Sequence, residues 1–224
     1  MYSKFPMMTN IKYILIILSS LFYTTSQAQQ YTDDPKANEI KSLIGKEKEI
    51  TGFGNVDLRV GEFVSQQVLI VGAYGGILIN KNVMFGVGGY GIATESQFEG
   101  FNPETNEQRD LNIYGGYAGM LLGFKVASKE IIHLSVPILL GAGHIDISDD
   151  NYFDLSNGDN DFTVESSAFF VLEPSALLEL NISNHFRLGF GAGYRIVKGS
   201  SLENLSDDDL SGFTGVVSFQ LGRF

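Results

Sequence analysis

Residues 185–196, HFRLGFGAGYRI, alternate without a break. Phe186, Leu188, Phe190, Ala192, Tyr194 and Ile196 fall on one side. His185, Arg187, Gly189, Gly191, Gly193 and Arg195 fall on the other. A period of two belongs to an extended strand with one apolar face, and no helix can present such a pattern. The same rhythm recurs on both sides of this stretch. Residues 111–126 set Tyr114, Ala118, Met120, Leu122, Phe124 and Val126 against Gly115, Tyr117, Gly119, Gly123 and Lys125. Near the amino end, Val56, Leu58 and Val60 oppose Asn55, Asp57 and Arg59. Eight such segments are expected, near 49–63, 68–79, 83–94, 111–126, 131–145, 166–181, 185–197 and 212–224.

The connections alternate in length. Those at Asn80–Asn82, Ala127–Glu130 and Ile182–Asn184 are tight. Those at Glu95–Asp110, Asp146–Glu165 and Lys198–Ser211 are long and acidic. Short turns on one side and long loops on the other describe an all-β, eight-stranded antiparallel up-and-down barrel crossing a membrane. A soluble exported barrel of the lipocalin kind also has one apolar face, so alternation alone does not separate the two. Three features do. The face opposite the aliphatics carries glycine and small residues, not the Lys, Glu and Thr of a solvated exterior. Charged residues make up 18% of the chain, below the roughly 25% of soluble domains. Aromatics fall in two bands on the aliphatic face. Tyr114, Phe170, Tyr194 and Phe213 lie beside the long loops, and Phe85, Phe124 and Phe186 beside the short turns, as in the girdles that anchor a barrel at both lipid–water boundaries.

Residues 1–28 read as a signal peptide: Lys4 and Lys12, the apolar run YILIILSSLF at 13–22, then Ser26-Gln27-Ala28. That run is shorter than the roughly 20 residues of a spanning helix. Residues 29–48 form a polar leader in which 35–45 can make a short amphipathic helix. A periplasmic position is expected for it, with a plug inside the barrel as the alternative. The barrel takes residues 49–224. Loss of Lys4 and Lys12, with no acid, leaves 13 basic residues against 26 acidic ones and a net charge of −13. Such a surface repels nucleic acid. The absence of cysteine excludes disulfides, metal–thiolate sites and thiol nucleophiles.

The phase of the strands turns Asp57, Arg59, Lys125, Glu173, Glu179, Arg187 and Arg195 toward the lumen. Their burial requires pairing, for instance of Glu173 or Glu179 with Arg187 or Arg195 on the adjacent strand. Pro137 and Pro174 remove ladder donors inside two strands, so bulges or a local break in pairing are expected there. Phe224 is out of step with Phe213, Val217, Phe219 and Leu221.

In their order along the chain, SVPILLGAGHI (135–145), FFVLEPSALLELNI (169–182), FRLGFGAGYRI (186–196) and LSGFTGVVSFQLGRF (210–224) resemble the small outer-membrane β-barrel proteins of Gram-negative bacteria. The resemblance covers roughly residues 40–224. It implies an eight-stranded, porin-like barrel in the outer membrane of the cell envelope, and it assigns no catalytic residue.

Candidate chemistry is thin. His133 and Ser135 make an inward H-x-S pair of the type that outer-membrane lipid deacylases combine with an acid. That pair follows a short turn and so sits at the periplasmic rim, away from outer-leaflet lipid. His144, Asp146 and Ser148 alternate at the outer end of their strand. Residues 146–165 hold seven acids and no base. Counting a calcium loop from Asp154 puts Glu165 at position twelve but Gly158 at position five, where the motif needs position six, so the motif is broken. Weak divalent-ion binding, bridging loop carboxylates to lipopolysaccharide phosphates, stays open. The GxG pairs lie within strands and precede no helix, so they are not nucleotide loops. The expected function is therefore a non-enzymatic, monomeric outer-membrane barrel with a structural or surface-interaction role, displaying acidic loops and contacting lipid and lipopolysaccharide. Catalytic, cofactor and metal residues are expected to be none. A lipid-modifying enzyme or a narrow channel are the alternatives.

Overall fold

A computed structural model describes residues 49–63, 66–94, 97–102, 107–148 and 163–224. The signal peptide and leader lie outside the described residues. The strands are β1 (Ile50–Phe63), β2 (Gln66–Ile79), β3 (Val83–Ile92), β4 (Gln97–Asn102), β5 (Glu107–Val126), β6 (Ile132–Ser148), β7 (Thr163–Asn181), β8 (Phe186–Lys198) and β9 (Gly212–Gly222). Every neighbouring pair is antiparallel. The sheet runs β3-β2-β1-β9-β8-β7-β6-β5-β4, and pairing of β3 with β5 closes it. β3 occupies Gly116–Phe124 of β5, and β4 occupies Glu107–Asn112 of the same strand. The two therefore share one stave, and the barrel has eight.

β4 corrects the reading of Glu95–Asp110 as a loop: most of it is a hairpin that prolongs the wall outward. The periplasmic turns are as short as the sequence indicates. Asn80 and Lys81 both adopt left-handed backbone, the geometry that matches a hairpin to the twist of its strands.

Alternation decides what each side chain meets. Across the middle of the wall, the outward positions are all apolar. They include Val56, Leu58 and Val60 on β1, Val87 on β3, Met120 and Leu122 on β5, Leu134 and Leu140 on β6, and Leu172 and Leu178 on β7, all exposed. Exposed Phe170, Tyr194 and Phe213 ring the outer edge of this belt, with Tyr194 and Phe213 in edge-to-face contact at 4.7 Å. Exposed Phe85 and Phe124 ring the periplasmic edge. Tyr114 and Phe124 are ten residues apart on β5, about 34 Å along the strand. At the usual tilt this is about 25 Å along the membrane normal.

The interior is filled from two sides. β1, β7, β8 and β9 contribute most of the polar groups, including six of the seven charges assigned inward from the sequence; the seventh, Lys125, stands on β5, and all seven are 3% exposed or less. β2, β3, β5 and β6 contribute Ile70, Leu78, Met84, Leu111, Ile113, Leu121, Leu139, Ile145 and Ile147, all 2% exposed or less. The lumen is thus half apolar, where glycine and small residues were expected to dominate. Glycine is required where β5 and β6 curve most closely. A Cβ on Gly141 would stand 2.0 Å from the Ala118 carbonyl oxygen, and one on its partner Gly119 would stand 2.3 Å from that of Leu140.

The prolines interrupt the ladder without shifting it. Pairing of β6 with β7 lapses between Ser135↔Leu177 and Ile138↔Pro174, and that of β7 with β8 between Leu172↔Ile196 and Ser175↔Gly193, with the register unchanged on either side. The register shift between β6 and β7 falls instead at Ile147/Ser148.

Candidate functional site

The centre of the lumen is a closed polar network. Arg59 of β1 lies 2.9 Å from Asp57 and 2.8 Å from Glu173 of β7. Tyr90 of β3 donates to Asp57 at 3.0 Å, and the Arg59 guanidinium stacks 4.1 Å above its ring. Tyr117 of β5 donates to Glu173 at 2.6 Å, and Thr214 of β9 at 3.3 Å. Asn55 ties Asp57 (3.1 Å) to Ser218 (2.8 Å). Five staves meet around one guanidinium. A second tier lies toward the periplasm, where Glu179 accepts from Lys125 and contacts His133 Nε2 at 2.9 Å, while Lys125 also donates to Ser135 at 3.2 Å. His133 and Ser135 are both buried and belong to this tier.

Both glutamates have an ionic partner on a stave other than β8: Glu173 reaches Arg59, and Glu179 reaches Lys125. Arg187 instead donates to Asn181 (2.6 Å) and the Ser128 carbonyl (3.2 Å), and it stacks 3.8 Å from the Phe224 ring. Arg195 donates to the Leu210 carbonyl at 2.8 Å. The out-of-step Phe224 thus has a local reason: its ring turns under the barrel onto Arg187.

The outer mouth is covered. Residues 199–211, an acidic loop from the sequence, fold over it and carry α1 (Asp207–Leu210), one turn closed by a capping box between Ser206 and Asp209. Leu205 and Leu210 drop into the apolar cluster of Ile70, Leu111, Ile113, Ile145, Ile147 and Val197. Each adds about 1.5–3 kcal/mol of burial. Asn204 acts as a strand partner for Phe101, accepting from its N–H (2.8 Å) and donating to its carbonyl (2.7 Å), and it also bonds Glu165. Asp207 accepts from the Ser200 (2.9 Å) and Gly199 (3.2 Å) amides, with Lys198 at 3.7 Å. These donors, the Ser200 amide foremost, hold its carboxyl below the usual aspartate range. Asparagine at 204 between two leucine-bearing turns gave no signal in the sequence, because its partners lie in other loops.

With a closed barrel, an apolar belt of bilayer height and aromatics at both edges, the class is decided. The protein is an outer-membrane β-barrel. No family model and no curated protein matches the chain. Solved structures similar to it are Neisserial surface protein A (10% identity, 79% of this chain and 97% of that one, TM-score 0.48) and the N-terminal β-barrel domain of Pseudomonas aeruginosa OprF (9%, 76% and 96%, 0.42). A third is Ail, the attachment invasion locus protein of Yersinia pestis, in complex with the heparin analogue sucrose octasulfate (18%, 79% and 96%, 0.36).

His144 and Asp146 project outward at the upper rim, 3.2 Å apart. Ser148 is not beside them. The register shift turns it inward, where it is buried, and Ser166 of β7 stands 2.9 Å from His144 instead. Ser166 and Asp146 both contact Nε2. One ring nitrogen cannot accept a serine proton while donating to a carboxylate, and a nucleophile–base–acid relay needs both nitrogens. The cluster is therefore a hydrogen-bonded polar knot in this geometry. Most of the acidic run in 146–165 lies outside the described residues. Among the described residues, no group of three or more His, Asp or Glu side chains is placed to hold a metal ion.

Proposed function

We propose that the protein is a non-enzymatic outer-membrane barrel whose role is structural or interactive and whose working face is the acidic outer rim. The observation that carries this reading is the filling of the cylinder. A charged network joins five staves at mid-height, and an ordered lid seats two leucines in the mouth above it. A packed lumen supports display in preference to transport. The partners that suit the rim are outer-leaflet lipid and lipopolysaccharide, with divalent cations bridging loop carboxylates to lipid phosphates. The test pairs two measurements on the mature barrel. In planar bilayers it gives no unitary conductance. In calcium it binds lipopolysaccharide vesicles, and chelation, or replacement of Asp207, Asp208 and Asp209 with asparagine, weakens that binding several-fold. Steady conductance by the wild-type chain overturns the reading in favour of a channel. An altered lipid A profile that disappears in His144→Ala overturns it in favour of an enzyme.

A further inference from the structure

We infer that the periplasmic mouth holds a second site, independent of the outer rim, that binds a small oxyanion, either a carboxylate or a phosphate group. The mouth encloses a cavity of about 350 Å³ lined by Lys81, Ser128, Lys129, Asn181, Arg187 and Phe224, among others. Three cations around one small cavity run against the composition of a chain with 26 acids and 15 bases.

Arg187 is the centre of the site. It is 1% exposed, yet it forms no ion pair among the described residues. Its Nε and one Nη donate to neutral oxygens, on Asn181 and Ser128. Its other nitrogen, Nη1, is buried and has no hydrogen-bond partner among the described residues. A buried guanidinium is stable only when its charge and its donors are met, and here two donor hydrogens on Nη1 remain unspent. Asp57, Arg59, Lys125, Glu173 and Glu179, by contrast, each have an ionic partner.

The surroundings favour an anion in that position. Asn181 and the Ser128 carbonyl fix the guanidinium plane from one side, and the Phe224 ring, itself held by its N–H to the Asn184 carbonyl at 3.0 Å, covers one face. The side chain is therefore pre-oriented, which lowers the entropy lost on binding. Lys129 makes no ion pair among the described residues, and Lys81 has only the half-exposed Glu49, at 3.4 Å. Both lysines stand on tight turns, Lys81 in a left-handed backbone position and Lys129 two residues after left-handed Ala127, so their charges stay at the rim. Arginine presents a fork that matches the paired oxygens of carboxylate and phosphate alike. The two sources are a phosphate free in the periplasm and the terminal carboxylate of a peptide.

The test is a titration of the mature chain, folded in nanodiscs and labelled with 15N at arginine, at constant ionic strength held with chloride. Inorganic phosphate represents the first source and N-acetylalanine the second. A saturable shift of the Arg187 side-chain resonance with either probe is expected, and the probe that saturates at lower concentration names the source. Arg187→Gln, which removes that resonance and is followed by titration calorimetry with the same probes, should weaken binding about 10- to 100-fold, the loss of one charge-assisted contact. Lys129→Gln, on an exposed turn that does not hold the barrel together, should weaken it a few-fold with heat-modifiable migration unchanged. It therefore reports even where Arg187→Gln fails to fold. A linear, non-saturating response to both probes overturns the inference. So does binding that Lys129→Gln and a folded Arg187→Gln leave at wild-type strength.

Discussion

Replacing Glu173 with glutamine tests whether the lumen is dry. Glu173 is buried beside Arg59 at 2.8 Å, and Asp57 holds the same guanidinium at 2.9 Å. At an effective dielectric of about 20, a unit pair at that separation attracts by about 6 kcal/mol. Desolvation of the ions takes back most of this when the pair is compared with apolar side chains. Removing one partner is a different comparison, because the survivor stays buried. Glu173→Gln keeps the shape, and the amide oxygen can still accept from Tyr117 or Thr214. Arg59 also keeps Asp57. The expected cost is therefore at the lower end for a broken buried pair, about 3 kcal/mol. Arg59→Met strands two carboxylates at once and should cost about 5 kcal/mol or more. In the double variant the partners vanish together, so the two losses should fall short of additivity by about 2–3 kcal/mol. The chain has no tryptophan, so urea unfolding of the bilayer-inserted barrel is best followed by its heat-modifiable gel migration. Single variants within 0.5 kcal/mol of wild type, with additive losses, would mean that water already fills the lumen. The packed-cylinder argument would then fail.

Other consequences are as direct. Leu140→Arg places a charge on the lipid-facing belt beside Met120 and should cost about 2–4 kcal/mol in the same unfolding assay; a neutral result would put that face in water. Leu210→Ala removes a fully buried side chain from beneath the lid and should loosen residues 199–211 by about 2–3 kcal/mol. The readout is amide exchange confined to the lid, with the strands unaffected. The depressed carboxyl of Asp207 adds lid stability that is complete above its unfolded value of about 3.9 and is lost as pH falls through the lower folded value. Protection of the Gly199 and Ser200 amides should therefore hold from neutral pH to about 4 and fall only below it, and Asp207→Asn should abolish this acid limb.

The wall of the barrel was legible in the sequence because it depends on a local rule. Period two fixes the face of every strand residue, and composition fixes which face meets lipid, so Val56, Phe190 and Tyr194 could be placed outside and Asp57, Glu179 and Arg187 inside from neighbours in the chain alone. The interior does not obey a local rule. Glu173 stands across from Arg195 in the β7–β8 register, and a reading restricted to adjacent strands pairs them. Two features alter the geometry there. Pro174 interrupts the ladder at that level, and the Leu210 carbonyl of the lid takes the Arg195 Nε. In so narrow a cylinder the opposite wall is within side-chain reach, and Arg59 on β1 reaches Glu173. The lid itself was hidden because its apolar content is Leu202, Leu205 and Leu210 among acids and serines, too sparse for a periodic signal. Those leucines have a purpose only once the mouth that receives them exists. The unforeseen partners and the misread loop thus have one origin. Closure of the outer mouth gives the Arg195 Nε a carbonyl that no adjacent strand supplies, and Arg59 meets Glu173 from across the barrel.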